Sequence, residues 1–335
     1  MTGVGSATIA VVMEERLRSL FFTPELWREL EHLGRLQVCG TSPAEAAAHL
    51  RNAEVVITGW RSPRLDAGLL AAAPRLRLVA HSGAAVRFLV SDELFARGIR
   101  VSQTGEAMAP AVAEVALTFT LTLLHRIHRF DHALHTDADF DALRYPDQPA
   151  RELRGTQIGV IGASRTGRAY LEMIRALGAR PLLTDPHISA ERAAALGARL
   201  VPLDELMAGC RVVAVHAPSI PATRHMIGKR ELALMPDGAG LVNTARSALI
   251  DTAALLDELR TGRIDAALDV YDEEPLPADH PLRTLPNALL TPHQAAAAVQ
   301  VRQRQGRIVV DEIARWLAGA ALRHEITEEM LATTA

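Results

Sequence analysis

The feature that most restricts how this chain can fold is a repeated alternation. Short apolar runs of three to six residues are each followed by a longer stretch with helical spacing. The candidate strands form two series. Residues 8–13, 36–39, 55–58 and 76–80 make the first, and residues 157–161, 181–184, 212–216, 240–243, 266–270 and 288–290 make the second. Most are continuously apolar, as strands covered on both faces must be. Between them lie helical stretches such as 43–51, 168–177, 190–196 and 252–260. Strand and helix in strict alternation imply parallel sheets joined by right-handed crossovers.

A chain of 335 residues is longer than one hydrophobic core usually serves, so two domains are expected. Between the two series, residues 111–127 read as a helix apolar almost all round, continuing into a polar segment over 128–149. Such a helix asks for burial against a second domain or a second subunit. A further amphipathic helix is expected from Val299 to about Gly319, with Ile308, Val309, Ile313, Trp316 and Leu317 at helical spacing.

Composition removes several function classes. Lys and Arg number 36 against 39 Asp and Glu, a net charge of −3, so no basic field exists to hold nucleic acid or a membrane surface. The two cysteines, Cys39 and Cys210, show neither a disulfide framework nor zinc-ligand spacing, which fits a reducing cytoplasm. Uninterrupted apolar stretches fall short of the ~18–20 residues of a membrane span. The apolar start of the chain lacks the basic region of a secretory signal. Four histidines, His125, His128, His132 and His135, crowd one stretch without a recognisable ligand motif, so no metal is expected.

After the strand 157–161 comes Gly162-Ala163-Ser164-Arg165-Thr166-Gly167, then a helical pattern. This is the dinucleotide fingerprint GxGxxG with Ser at the middle glycine. The chemistry needs a tight turn, close backbone approach to a pyrophosphate, and helix N–H groups facing the anion. Asp185 ends the next strand, where a carboxylate accepts hydrogen bonds from an adenosine ribose. No Arg or Lys occupies the six residues after it, so NAD is favoured over NADP.

Arg246, Glu274 and His293 each follow a candidate strand of the second series, and open parallel sheets place ligands beyond the carboxyl ends of their strands. An imidazole is the side chain most easily poised to move a proton near neutral pH. A carboxylate beside that imidazole orients it, and a guanidinium offers a planar fork matched to a substrate carboxylate.

In its Gly-rich turn, Asp185, His216-Ala217-Pro218, Asn243-Thr244-Ala245-Arg246, the Asp269-Val270 to Glu274-Pro275 segment and Pro292-His293, the chain resembles the D-isomer-specific 2-hydroxyacid dehydrogenases. The resemblance implies that Arg246 binds the substrate carboxylate and polarises its 2-oxo group. It makes His293 the general acid/base and Glu274 its partner, the family placing that acid directly before proline. Asp269 is implied to contact the nicotinamide amide, and Ala217, Pro218, Thr244 and Ala245 to line the cofactor. In the first block Ser82, Gly83 and Ala84 align with a Gly-rich loop whose N–H groups hold the carboxylate.

Here the chain departs from the family pattern. Ala85 stands where a second Gly is usual, Arg87 where Asp is usual, Met108 where many members carry Asn, and Ser247 where Gly commonly follows the Arg. Trp60-Arg61-Ser62 lies after the strand 55–58, and relatives that handle phosphorylated acids carry an Arg-Ser pair at a similar place, so Arg61 is a candidate extra anion contact.

The expected architecture is two Rossmann/flavodoxin-like α/β domains. A coenzyme domain over 104–297 is inserted into a discontinuous substrate domain, 1–103 with 298–335, and closure of the cleft between them excludes water. The expected function is NAD-dependent interconversion of a small 2-oxo acid and its D-2-hydroxy acid by a cytoplasmic homodimer. Two other readings use the same residues: a corepressor-like protein that senses NAD without turnover, and a dehydrogenase acting on amino acids.

Overall fold

A computed structural model describes residues 7–136, 143 and 148–331; ten residues of the polar segment expected over 128–149 lie outside it. The chain divides into two compact units. One comprises Met1–Met108 with Ala297–Ala335, and the other is Ala109–Ala296.

The first unit carries a five-stranded sheet. Its strands are β1 (Ala7–Val12), β2 (Gly34–Cys39), β3 (Val55–Thr58), β4 (Leu78–His81) and β5 (Arg100–Ser102), in the order β2-β1-β3-β4-β5. All pairings are parallel. One face packs Ala46, Leu50, Leu69, Leu70 and Leu94 from the crossover segments. The other packs Phe21, Leu26 and Leu30 together with Val309, Val310 and Ile313 of the helix Val299–Leu317. Gly306 of that helix lies against the carbonyl of Phe21 so closely that any Cβ would collide with it, which allows the helix to seat.

The second unit carries seven strands: β6 (Gln157–Ile161), β7 (Arg180–Thr184), β8 (Arg199–Leu200), β9 (Val212–Val215), β10 (Gly240–Asn243), β11 (Asp265–Leu268) and β12 (Ala288–Leu290). The order is β12-β11-β10-β9-β6-β7-β8, again parallel throughout. Strand order reverses between β6 and β9, the switch point at which such sheets bind dinucleotides. Helices cover both faces, which explains strands that are buried at nearly every position. Gly159 in β6 faces Leu206, and a Cβ there would also press on the Sγ of Cys210 at 3.2 Å. Cys210 is accordingly a packed core residue, its thiol pushed up to about 12 by burial.

The helix expected over 111–127 runs instead from Gly105 to Leu124, with Pro110 near its start. Ala113, Ala116, Phe119, Leu123 and Leu124 join Ile158, Val160 and Val242 in the core of the second unit. Part of the burial its apolarity demands is supplied by that unit's own sheet. It is long and apolar enough to cross a bilayer, and half of its apolar window is buried in the fold. The left-handed backbone of Arg126 ends it, and a second helix, Ile127–His135, begins.

That second helix delivers charge to the start of β11. Asp265 is 2% exposed, and Arg129 Nε donates to its Oδ1 at 2.7 Å, while His128 Nε2 lies 3.6 Å from the same oxygen. Burial works against the Asp265 charge, but His128 and Arg129 outweigh it and hold the carboxyl below its ordinary range.

Candidate functional site

Strand register assembles the site. Ile161 pairs with Val215, Val215 with Asn243, Asn243 with Leu268, and Leu268 with Leu290. The residues just beyond these five positions are Gly162, His216, Thr244, Asp269 and Thr291. Residues remote in sequence thus leave the sheet side by side, at the edge where ligands of such sheets bind.

At the switch point Gly162 has φ +96, and a Cβ there would lie 2.7 Å from the backbone nitrogen of Ala217. A side chain at Gly167 would strike the carbonyl of Gly162. The turn therefore needs glycine at both positions, and it leaves its backbone bare. Ser164 caps the helix Arg165–Ala176 by accepting from the Gly167 N–H at 3.2 Å; Arg165 is exposed and Thr166 half-buried. Asp185 accepts from the N–H of Ala163 at 2.7 Å and of His187 at 2.8 Å, which fixes its carboxylate beside the turn. Each oxygen keeps a lone pair for a ribose hydroxyl. Ala217 is buried and Pro218 half-buried after β9. The Thr244 hydroxyl is buried with no partner in the protein, a group awaiting one. This edge fits a dinucleotide.

Around the reacting end, the Tyr271 N–H donates to Glu274 Oε1 at 3.0 Å, and Glu274 Oε2 lies 2.7 Å from His293 Nδ1. Glu274, not its neighbour Glu273, reaches the imidazole. His293 has φ +54, an uncommon conformation outside glycine, which sets the ring's direction. Its loop is clamped by Asp269, which is 1% exposed. Asp269 Oδ1 accepts from Thr291 Oγ1 at 2.5 Å and the Gln294 N–H at 2.8 Å, and Oδ2 from the Ala295 N–H at 2.9 Å. The residue expected at the nicotinamide thus spends its hydrogen bonds on the His293 loop. The Tyr271 hydroxyl spans the carbonyls of Leu268 and Thr291, tying β11 to the same loop.

Arg246 follows β10 and half-buried Ala245. Asn243 builds its turn, accepting from the Ala245 N–H at 3.0 Å and donating to the Arg246 carbonyl at 2.9 Å. Burial lowers the Arg246 pKa, and the charge of Glu274 opposes that shift. The structure brings Arg246, Glu274 and His293 together at one edge of the sheet. Sequence reasoning missed Asn243, Tyr271 and Thr291, although all three lie inside or beside the motifs already quoted.

In the first unit the predicted loop follows β4. The Ser82 N–H is spent on the carbonyl of Thr58 at 2.8 Å, so it cannot serve a carboxylate as expected. The Ser82 hydroxyl is buried and unpartnered, and the Ser82 carbonyl accepts from Gln305 Nε2 at 2.9 Å. Gly83 is buried, its carbonyl accepts from the Thr104 N–H at 2.9 Å, and Ala84 is half-buried. Arg87 engages the carbonyl of Leu331. Ser62 is buried between the carbonyl of Val12 and the N–H of Gly59, and Arg61 pairs with Glu14 at 3.3 Å.

Residues 117–295 match the family model described as D-isomer specific 2-hydroxyacid dehydrogenase, NAD binding domain. The chain belongs to the D-isomer specific 2-hydroxyacid dehydrogenase family, and the matched residues lie within its second unit. D-3-phosphoglycerate dehydrogenase of Methanocaldococcus jannaschii is 32% identical over 87% of this chain and 55% of its own length. The chain spans about half the length of such relatives. Glyoxylate reductase of Aeropyrum pernix is 33% identical over 80% of this chain and 81% of its own. D-mandelate dehydrogenase of Rhodotorula graminis shares the fold, with a TM-score of 0.83 at 24% identity over 96% and 98% of the two chains.

Proposed function

We propose that this protein is an NAD-dependent D-2-hydroxyacid dehydrogenase that reduces a small 2-oxo acid and oxidises the corresponding hydroxy acid. The observation that carries this reading is the chain of contacts from Tyr271 through Glu274 to His293, with Arg246 on the neighbouring strand end. NAD supplies the hydride-carrying carbon. The Gly162–Gly167 turn and Asp185 bind the pyrophosphate and ribose, and the Thr244 hydroxyl takes a hydrogen bond that the protein alone leaves unmade.

In the reducing direction, Arg246 holds the substrate carboxylate and draws electron density toward the 2-oxo oxygen. His293 Nε2 delivers a proton to that oxygen as the carbonyl carbon becomes tetrahedral. Glu274, bonded to Nδ1, fixes the ring orientation. In the reverse direction the same nitrogen removes the hydroxyl proton. Asp269 and Tyr271 hold the His293 loop and take no part in proton transfer.

The test is NADH oxidation with glyoxylate, pyruvate, hydroxypyruvate and longer 2-oxo acids, followed by chiral analysis of the product. Turnover to the D-hydroxy acid is expected. Absence of turnover across the panel, or an L product, contradicts the reading.

A further inference from the structure

The strands that lead to the Gly162–Gly167 turn, Arg246 and His293 start at an edge rich in arginine. Arg211 directly precedes β9, Arg180 is the first residue of β7, and Arg151 and Arg154 lie just ahead of β6. Arg126 follows the helix Gly105–Leu124 and lies 3.9 Å from Asp265, the first residue of β11. All five belong to the unit Ala109–Ala296, and the proposed chemistry uses none of them.

Arg126, Arg151 and Arg211 line one cavity of about 180 Å³ together with Gln148 and Gly238. An adjoining groove shares Arg151 and Arg211 and adds Arg154 and Arg180. Arg126 is 8% exposed and donates to Gln148 Oε1 at 3.0 Å. Burial lowers its pKa, and for Arg211 burial and the neighbouring charge of Arg151 both act in that direction. Among the described residues no carboxylate pairs with Arg151, Arg154, Arg180 or Arg211. Asp265, near Arg126, is shared with His128 and Arg129, and Asp237 lies 3.6 Å from Arg263. Glu152 is the carboxylate that lines the groove. The helices Gly105–Leu124, Arg165–Ala176 and Leu203–Gly209 end at this edge, each C-terminus offsetting roughly half an elementary charge. Those helix ends and Glu152 leave part of the guanidinium charge uncompensated. A cleft lined by one sign of charge focuses its field on a counter-ion, and each planar fork matches the oxygens of a phosphate.

We propose that this edge binds a ligand with two linked phosphate groups, one in the cavity between Arg126, Arg151 and Arg211 and the other in the groove beside Arg154 and Arg180. The site lies at the opposite end of the strands from the Gly162–Gly167 turn, so it does not compete with NAD. It holds whether or not the protein turns over 2-oxo acids.

The experiment is calorimetric titration of inorganic pyrophosphate, and separately of inorganic phosphate, at matched ionic strength into the full chain saturated with NADH, which keeps the Gly162–Gly167 turn filled. Wild type is compared with the double variant Arg151→Gln/Arg180→Gln, whose two side chains are exposed and make no contact that the fold needs. A second double variant, Arg16→Gln/Arg35→Gln, removes the same charge from exposed positions of the first unit. Wild type is expected to bind pyrophosphate, and phosphate roughly tenfold more weakly, since charge-assisted bonds to the second group are then missing. Arg151→Gln/Arg180→Gln is expected to weaken pyrophosphate binding by roughly tenfold or more, with NADH affinity unchanged, and Arg16→Gln/Arg35→Gln to leave it within about twofold. No binding of pyrophosphate by wild type overturns the site. Equal weakening by the two double variants shows attraction by net charge alone and overturns it as well. Phosphate binding as tight as pyrophosphate overturns the assignment of two linked groups.

Discussion

His293 Nδ1 and Glu274 Oε2 lie 2.7 Å apart, and the second oxygen of the same carboxylate is held by the Tyr271 N–H at 3.0 Å. The carboxylate is thus fixed by backbone at one oxygen and fixes a ring with the other. Substituting Glu274→Gln keeps the shape but removes the negative charge that holds Nδ1. It is expected to lower kcat by roughly 10²-fold, the scale of a general acid/base contribution, while KM for NADH stays nearly constant. Glu274→Asp should recover only part of the loss. Steady-state kinetics with NADH binding followed by fluorescence checks both.

The tie between β11 and the His293 loop makes a second expectation. Asp269→Asn turns one of the two acceptor oxygens into a donor facing the N–H groups of Gln294 and Ala295. A lost charge-assisted hydrogen bond in a buried place is worth about 1.5–3 kcal/mol. The thermal midpoint should fall by a few degrees and kcat should fall with it, because the imidazole loses its fixed position. Retention of full kcat would show that the loop is held by other contacts.

Gly162→Ala tests the turn. Its left-handed φ strains any side chain, and the added carbon would meet the Ala217 nitrogen. A cost of about 1–3 kcal/mol is expected from the strained conformation, together with at least tenfold weaker NADH binding. Calorimetric titration and thermal unfolding separate the two effects.

Buried histidines set a pH dependence. His81 is wholly buried, accompanied by Thr58 Oγ1 at 3.0 Å from Nδ1, and burial lowers its pKa to about 4. His216, packed 5.0 Å from the Tyr170 ring, is lowered by burial to about 3. Unfolded, both bind protons near pH 6.5, so the unfolded state holds more protons than the folded one as pH falls below that value. Stability is full above about pH 6.5 and declines toward pH 4, by up to ~1.4 kcal/mol per pH unit for each group. Denaturant unfolding at pH 7 and pH 5 measures this, and His216→Gln should shrink the difference.

Much of this arrangement is visible in the sequence because short continuous apolar runs set between helical stretches read as strands buried on both faces. The strands Val55–Thr58, Gln157–Ile161, Gly240–Asn243 and Ala288–Leu290 stand at their expected bounds. Arg100–Ser102 and Arg199–Leu200 do not stand out, since two or three residues at a sheet edge carry no period of their own. Arg246, Glu274 and His293 are legible from type and order. Their supports are not, because Tyr271 holds Glu274 through a backbone N–H that any residue but proline offers, and Asn243 and Asp269 bond local backbone groups whose positions only the folded loops define. Ser82 shows the opposite failure: the aligned loop suggested a free N–H, but pairing with Thr58 consumes it.

The central claim is that His293 moves the proton while other residues at the same edge of the sheet bind NAD. Single-turnover mixing of NADH-loaded protein with a 2-oxo acid tests it, comparing wild type and His293→Ala at equal NADH occupancy. A fall of at least 10²-fold in the rate of NADH oxidation with unchanged NADH affinity is the predicted result. Equal rates in the two proteins would contradict it.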